Sequence, residues 1–187
     1  NDVGGSAIAS QDALGSWTID CNLFHGPIAD HGFLNIGGES TLNLSNNIFS
    51  TIMKNAVDAT DPLGSWTVDC NLFSGPISGD GINIAGGHSD SSMNLGQDNV
   101  FAIINGNAIS AQGALGSWTV DCNLFRGPIS GKAMHFHEQS GNIALTGNQI
   151  SSSAEGVLVT GGNAAWTVSG NQVNGSQNNV PPGPMVG

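Results

Sequence analysis

The sequence predicts an all-β solenoid, and three observations carry that prediction. The segment "LGSWTIDCNLFHGPI" from Leu14 returns as "LGSWTVDCNLFSGPI" from Leu63 and as "LGSWTVDCNLFRGPI" from Leu115. Weaker versions lie between these copies: "LNLSNNIF" from Leu42, "MNLGQDNVF" from Met93 and "IALTGNQI" from Ile143, with "WTVSGNQV" closing the series at Trp166. Within each version apolar residues alternate with polar ones, which is the period of a strand and not of a helix. The repeats start at residues 17, 42, 66, 93, 118, 143 and 166, so the spacings are 25, 24, 27, 25, 25 and 23. A fixed period in that range is the mark of stacked coils, each burying its apolar side against the next.

Each coil can be justified in turn. Trp17 and Ile19, Leu42 and Leu44, Trp118 and Val120, and Trp166 and Val168 make inward pairs, with Thr18, Asn43, Thr119 and Thr167 facing out between them. A turn with an asparagine follows: Asn22, Asn47, Asn71, Asn123, Asn148 and Asn171, while the longer fourth unit offers Asp98 or Asn99. Asn tolerates turn conformations, and stacked carboxamides hydrogen-bond to one another as a ladder. A second apolar alternation comes later in the coil, at Leu34 and Ile36, Ile82 and Ile84, Met134 and Phe136, and Val157 and Val159. Gly37-Gly38, Gly86-Gly87 and Gly161-Gly162 mark turns after it.

The pattern apolar-x-apolar-x-Gly-Asn-x-apolar, as in "WTVSGNQV" and "IALTGNQI", resembles a rung of the right-handed parallel β-helix of pectate lyases and phage tailspikes. The resemblance implies a single-stranded right-handed parallel β-helix of about seven coils with an Asn-rich turn ladder, and right-handed crossovers are the general preference of parallel strands. It covers residues 17–180. The whole chain, 1–187, then forms one domain, with a partial first coil at 1–16, seven coils at 17–180 and a Pro-rich tail at 181–187. The architecture hosts lyases, hydrolases, adhesins and inert spacers, so it does not fix a function.

Composition narrows the classes. Hydrophobic residues make up 39% and charged residues 9%, which excludes acidic disorder. Three Lys and Arg stand against fourteen Asp and Glu, for a formal charge of −11, so nucleic acid is not an expected partner. No apolar run reaches the roughly 18 residues of a membrane span. The chain opens at "NDVGGSAIAS" without a starting Met, which reads as a processed product.

Chemistry has few candidates. Trp17, Trp66, Trp118 and Trp166 are expected to stack in the core, and Cys21, Cys70 and Cys122, at one equivalent place two coils apart, are expected beside them as buried small thiols. Separations of about 9.6 Å, twice the strand spacing, are too long for a disulfide among them. In "KAMHFHEQ", His135 and His137 share the outward face of a strand, where two imidazoles can reach one metal with Glu138 nearby. No third ligand is evident, and two exposed polar residues are the simpler alternative. No cofactor is expected. The only basic candidates for a lyase are Lys54, Arg126 and Lys132, the coils are uniform, and Asp58 and Asp61 look like a connecting turn, so an enzyme is not expected.

The ends suggest assembly. "AIASQDALGSW" from Ala7 matches "AISAQGALGSW" from Ala108, so the chain opens partway through a coil, and "WTVSGNQV" starts another near its close. A coil that stacks on its neighbour within the chain can stack between chains, and such head-to-tail contact gives an open filament. The terminal "PPGP" could instead protect the edge. The expectation is an extracellular or cell-surface structural protein that self-associates end to end. The alternative is a carbohydrate-binding or polysaccharide-degrading protein using its Asn and Thr columns on glycans. Ice binding through Thr18, Thr67, Thr119 and Thr167 ranks below both, because Asn43, Asn94 and Ala144 interrupt that column.

Overall fold

The computed structural model describes residues 4–113, 116–151 and 153–174; the Pro-rich tail at 181–187 lies outside them. The described residues form a parallel β-solenoid of seven rungs, about 6 full turns from first to last. The expected seven coils are thus seven rungs enclosing one turn fewer. Each rung has three short strands. In the first they are Ile8–Gln11, Gly15–Asp20 and Leu23–Phe24; in the last, Ser153–Thr160, Ala165–Ser169 and Gln172–Asn174. Like strands stack in register as three faces. The second face is a seven-stranded sheet. The first and third faces join into one fourteen-stranded sheet, because the strand Ile129–His137 runs round the corner between them, pairing Ile129 with Ile104 and Met134 with Ile109.

The core follows from register. On the second face Trp17, Leu42, Trp66, Met93, Trp118, Ile143 and Trp166 lie over one another, so every tryptophan alternates with a smaller side chain. Trp66 and Trp118 are buried. Trp17, in the first rung, has a covered neighbour on one side only and keeps 36% of its surface exposed. On the first face Phe33, Val57, Ile82, Ile109, Met134 and Val157 point inward. In the second rung this shifts the apolar pair by one residue: Phe33 and Asn35 are buried while Leu34 is half-buried and Ile36 exposed. Asn35 is tolerated there because Ser10 Oγ donates to its Oδ1 (2.7 Å) and its Nδ2 donates to Gly37 O (3.1 Å).

Two of the corners are closed by residues in the left-handed region. Between the first and second faces these are Asp12, Gly37, Asp61, Gly86, Gly113, Glu138 and Gly161. Between the second and third faces they are Cys21, Asn46, Cys70, Asp98, Cys122, Gly147 and Gly170, with φ between 53° and 66°. This second column corrects the expectation for the cysteines. A strand continuing past Trp17 and Ile19 would turn residue 21 inward. The left-handed residue breaks the pleat, turns its own side chain out and sends the next residue in. Cys21, Cys70 and Cys122 are accordingly exposed free thiols, not members of the core.

Candidate functional site

The reversal that expels the cysteines builds the asparagine ladder. Asn47, Asn71, Asn99, Asn123 and Asn148 are buried. Asn99, not Asp98, fills the place in the fourth rung, and the extra residue is absorbed as Asp98 takes the left-handed position. Each ladder asparagine offers Oδ1 to the backbone N–H and the Nδ2 of the residue one rung earlier. Asn71 N to Asn99 Oδ1 is 2.9 Å and Asn71 Nδ2 to Asn99 Oδ1 is 3.1 Å. Its Nδ2 also donates to a carbonyl of the preceding rung, as Asn99 does to Val68 O (2.7 Å). The ladder has a direction. Among the described residues it opens at the Oδ1 of Asn22, which is exposed, and closes at the backbone N–H of Asn171.

Beside the ladder runs a column that the sequence reading missed. Phe24, Phe49, Phe73, Phe101 and Phe125 stack ring on ring along the third face, with centroids 4.5, 5.0, 4.6 and 4.9 Å apart. Ile150 and Val173 continue the column. The signal was present, since each phenylalanine stands two residues after a ladder asparagine. The third corner holds a second hydrogen-bond chain. Asp80 N donates to Asn55 Oδ1 (2.7 Å), Asn107 N to Asp80 Oδ1 (2.6 Å), and Lys132 N to Asn107 Oδ1 (2.9 Å).

Asp80 is the one acid in that chain. Burial pushes its carboxyl above the ordinary value of 3.8, against the lowering effects of the Asn107 hydrogen bonds and of His135. A raised carboxylate pKa means the folded state holds the proton more tightly than the unfolded chain does. This group's contribution is therefore fully present below pH 3.8 and is lost as pH rises through the folded value. Asp80→Asn keeps the acceptor and removes the buried charge. It is expected to raise the melting temperature at pH 7, and thermal scans should show the gain shrinking as pH falls towards 3.8. An equal gain at low pH would contradict this account.

His135 and His137 do share the outward side of the first face, with ring centroids 6.3 Å apart. Thr160 Oγ1, one rung on, lies 2.8 Å from His137 Nδ1 and 3.4 Å from His135 Nε2. Glu138 Oε1 is 3.8 Å from His137 Nε2. Glu138 occupies the left-handed corner, which carries it off the strand. Among the described residues no three His, Cys, Asp or Glu side chains gather as a metal would require. Asp58 stands in the strand Val57–Thr60, accepting from Asn55 Nδ2 (2.6 Å) and Asn83 Nδ2 (2.8 Å). His31 Nε2 lies 3.2 Å from Asp30 Oδ1 and 4.0 Å from Asp58 Oδ2, with Lys54 Nζ 2.7 Å from Asp30 Oδ1.

Two further surfaces frame what the molecule can do. A groove of about 510 Å³ lies at the corner between the first and second faces, lined by Ser16, Glu39, Thr41, His88 and Asp90 among others. The outward side of the second face carries two small polar columns where the sequence reading saw one. Thr18, Asn43, Thr67, Asn94, Thr119, Ala144 and Thr167 form the first. Ser16, Thr41, Ser92, Ser117 and Asn142 stand in the other. No known family model, curated protein or solved structure matches the chain. No helix among the described residues is long and apolar enough to cross a membrane.

Proposed function

We propose that this chain is a structural subunit that stacks head to tail into an extracellular filament or surface layer. The observation that carries the proposal is the direction of the asparagine ladder. One end of the described solenoid presents a carboxamide acceptor at Asn22, and the other a backbone donor at Asn171. Two copies meeting head to tail complete the same pair of hydrogen bonds that joins every interior rung; two like ends do not. The terminal rungs also expose apolar surface, with Leu14 and Trp17 at one end and Val168 at the other. Unpaired strand edges support further pairing of the same kind.

The junction differs from an interior step in one respect. It sets Trp166 against Trp17, two large side chains where the chain elsewhere alternates large with small. Trp17→Leu takes one of the two indoles out of the junction and moves the break in the alternation inside the chain, where residue 17 lies over Leu42. It is expected to lower the concentration at which filaments appear in negative-stain micrographs and light scattering. Short rods of constant length at every concentration, for wild type and Trp17→Leu alike, would sink the proposal. The second reading is a carbohydrate-binding rod, favoured by the paired polar columns and by the groove that holds Glu39 and Asp90. It gains ground if those rods retain a glycan on an array.

A further inference from the structure

The third face is unlike the other two on its outward side. Leu23, Ile48, Leu72, Val100 and Leu124 form one column in strand register, with Leu23 65% exposed. A second column holds Pro27, Pro76 and Pro128, four residues further on, and Ile103, three residues after Val100 where the register shifts; all four are exposed. Between them stand His25, Ser50, Ser74, Ala102 and Arg126. The patch spans five rungs, roughly 19 Å along the axis and roughly 13 Å across, at about 4.8 Å per rung and 3.3 Å per residue. It stops where Gln149 and Gln172 take the place of the aliphatic residues.

Charge separates this face from the rest of the molecule. The chain carries fourteen Asp and Glu residues, and none lies in the five segments that build the patch, 23–28, 48–53, 72–77, 100–104 and 124–129. Arg126, one of three Lys and Arg residues, lies within it. In a chain of net charge −11, this is where a second copy can approach with least repulsion. The patch also has like residue types on either side of its third rung, so two copies turned end over end set aliphatic against aliphatic, as a self-complementary two-fold contact uses.

From this we propose that the third face is a lateral dimer interface between two copies of the chain. The copies pack face to face and antiparallel, about a two-fold axis through Leu72 and Ser74. Leu72 then meets Leu72 of the second copy, Leu23 meets Leu124, and Ile48 meets Val100. The antiparallel arrangement follows from Arg126: parallel rods would set the two guanidinium groups together, while antiparallel rods set each against His25. At roughly 19 by 13 Å the patch offers about 250 Å² from each copy, below the range of stable specific contacts, so the dimer is weak and forms only with rising concentration.

The interface is separate from the solenoid ends, and the test keeps them apart. A background with Cys21→Asn, Cys70→Asn and Cys122→Asn removes the native thiols; Asn already stands in that left-handed column at Asn46. In it, Ser74→Cys should form a covalent dimer when diamide takes up the two electrons and two protons of the paired thiols. Ser50→Cys alone should yield roughly tenfold less, the ratio that about 1.4 kcal/mol produces. Ser50→Cys mixed with Ala102→Cys should restore the yield. Without cross-linking, light scattering should show the mass per unit length of the rods doubling with concentration. Leu72→Glu should abolish that doubling and leave end-to-end length unchanged. Self-linking of Ser50→Cys as strong as that of Ser74→Cys would overturn the antiparallel arrangement. Lateral association unaffected by Leu72→Glu, or binding of lipid vesicles in place of a second copy, would overturn the interface.

Discussion

Replacing Asn99 with alanine is expected to destabilise the middle of the solenoid by about 3–5 kcal/mol, the sum of several orphaned buried groups at about 1–3 kcal/mol each. Asn99 Nδ2 satisfies Val68 O (2.7 Å) and Asn123 Oδ1 (2.9 Å), and its Oδ1 accepts from the backbone and side chain of Asn71. The site is fully buried, so water does not take over these partners. Asp in place of Asn keeps the acceptor, loses the donors and adds a buried charge, so it should be no better than alanine. The damage should be local, because each rung touches only its neighbours. Hydrogen exchange is the suitable measurement: amides of the third to fifth rungs should lose protection well before those of the sixth. Uniform loss, or none, would contradict the role given to the ladder.

Phe73→Ala is expected to cost a similar amount, about 3–5 kcal/mol, by a different route. Phe73 is fully buried, and its ring lies 5.0 Å from that of Phe49 and 4.6 Å from that of Phe101, stacked nearly parallel to both. Rung spacing fixes these distances, so the neighbours cannot close on the space left behind. Phe73→Leu should cost less, about 1–2 kcal/mol, because the same column already accepts Ile150 in the sixth rung. Denaturant titration of both variants, with hydrogen exchange to locate the opening, gives the comparison. A leucine variant as damaged as the alanine variant would mean that the ring stack itself, not the filled volume, holds this face.

How much of this was legible in the sequence depends on how residues signal their direction. The strands of the second face lie where the tryptophan repeat puts them, and the ladder asparagines were readable because one residue type recurs at one place. The cysteines misled because alternation was carried one residue too far, through a left-handed corner that reverses it. The phenylalanines were overlooked because Leu23–Phe24 and Leu124–Phe125 are strands of two residues, too short to display a period. The chain at the third corner was hidden for another reason. Asn55, Asp80, Asn107 and Lys132 differ in type, and their shared element is the backbone N–H, which a sequence does not display. Of the candidate site, the histidine pair was placed on the right face, but the position of Glu138 at a corner was not foreseeable from spacing alone.

The alternation of tryptophan with smaller residues sets the quantum in which a rod of this kind changes length. Excising Trp66–Ser117 joins Ser65 directly to Trp118, restores the sequence "LGSWTVDCNLF" across the cut and leaves large on small throughout. Excising one rung alone, Trp66–Ser92, brings Leu42 under Met93 and leaves a void where an indole had been. Recombination between the near-identical copies removes or adds 49 or 52 residues at a stroke, which is two rungs each time. Shorter and longer forms of the molecule should therefore differ by pairs of rungs.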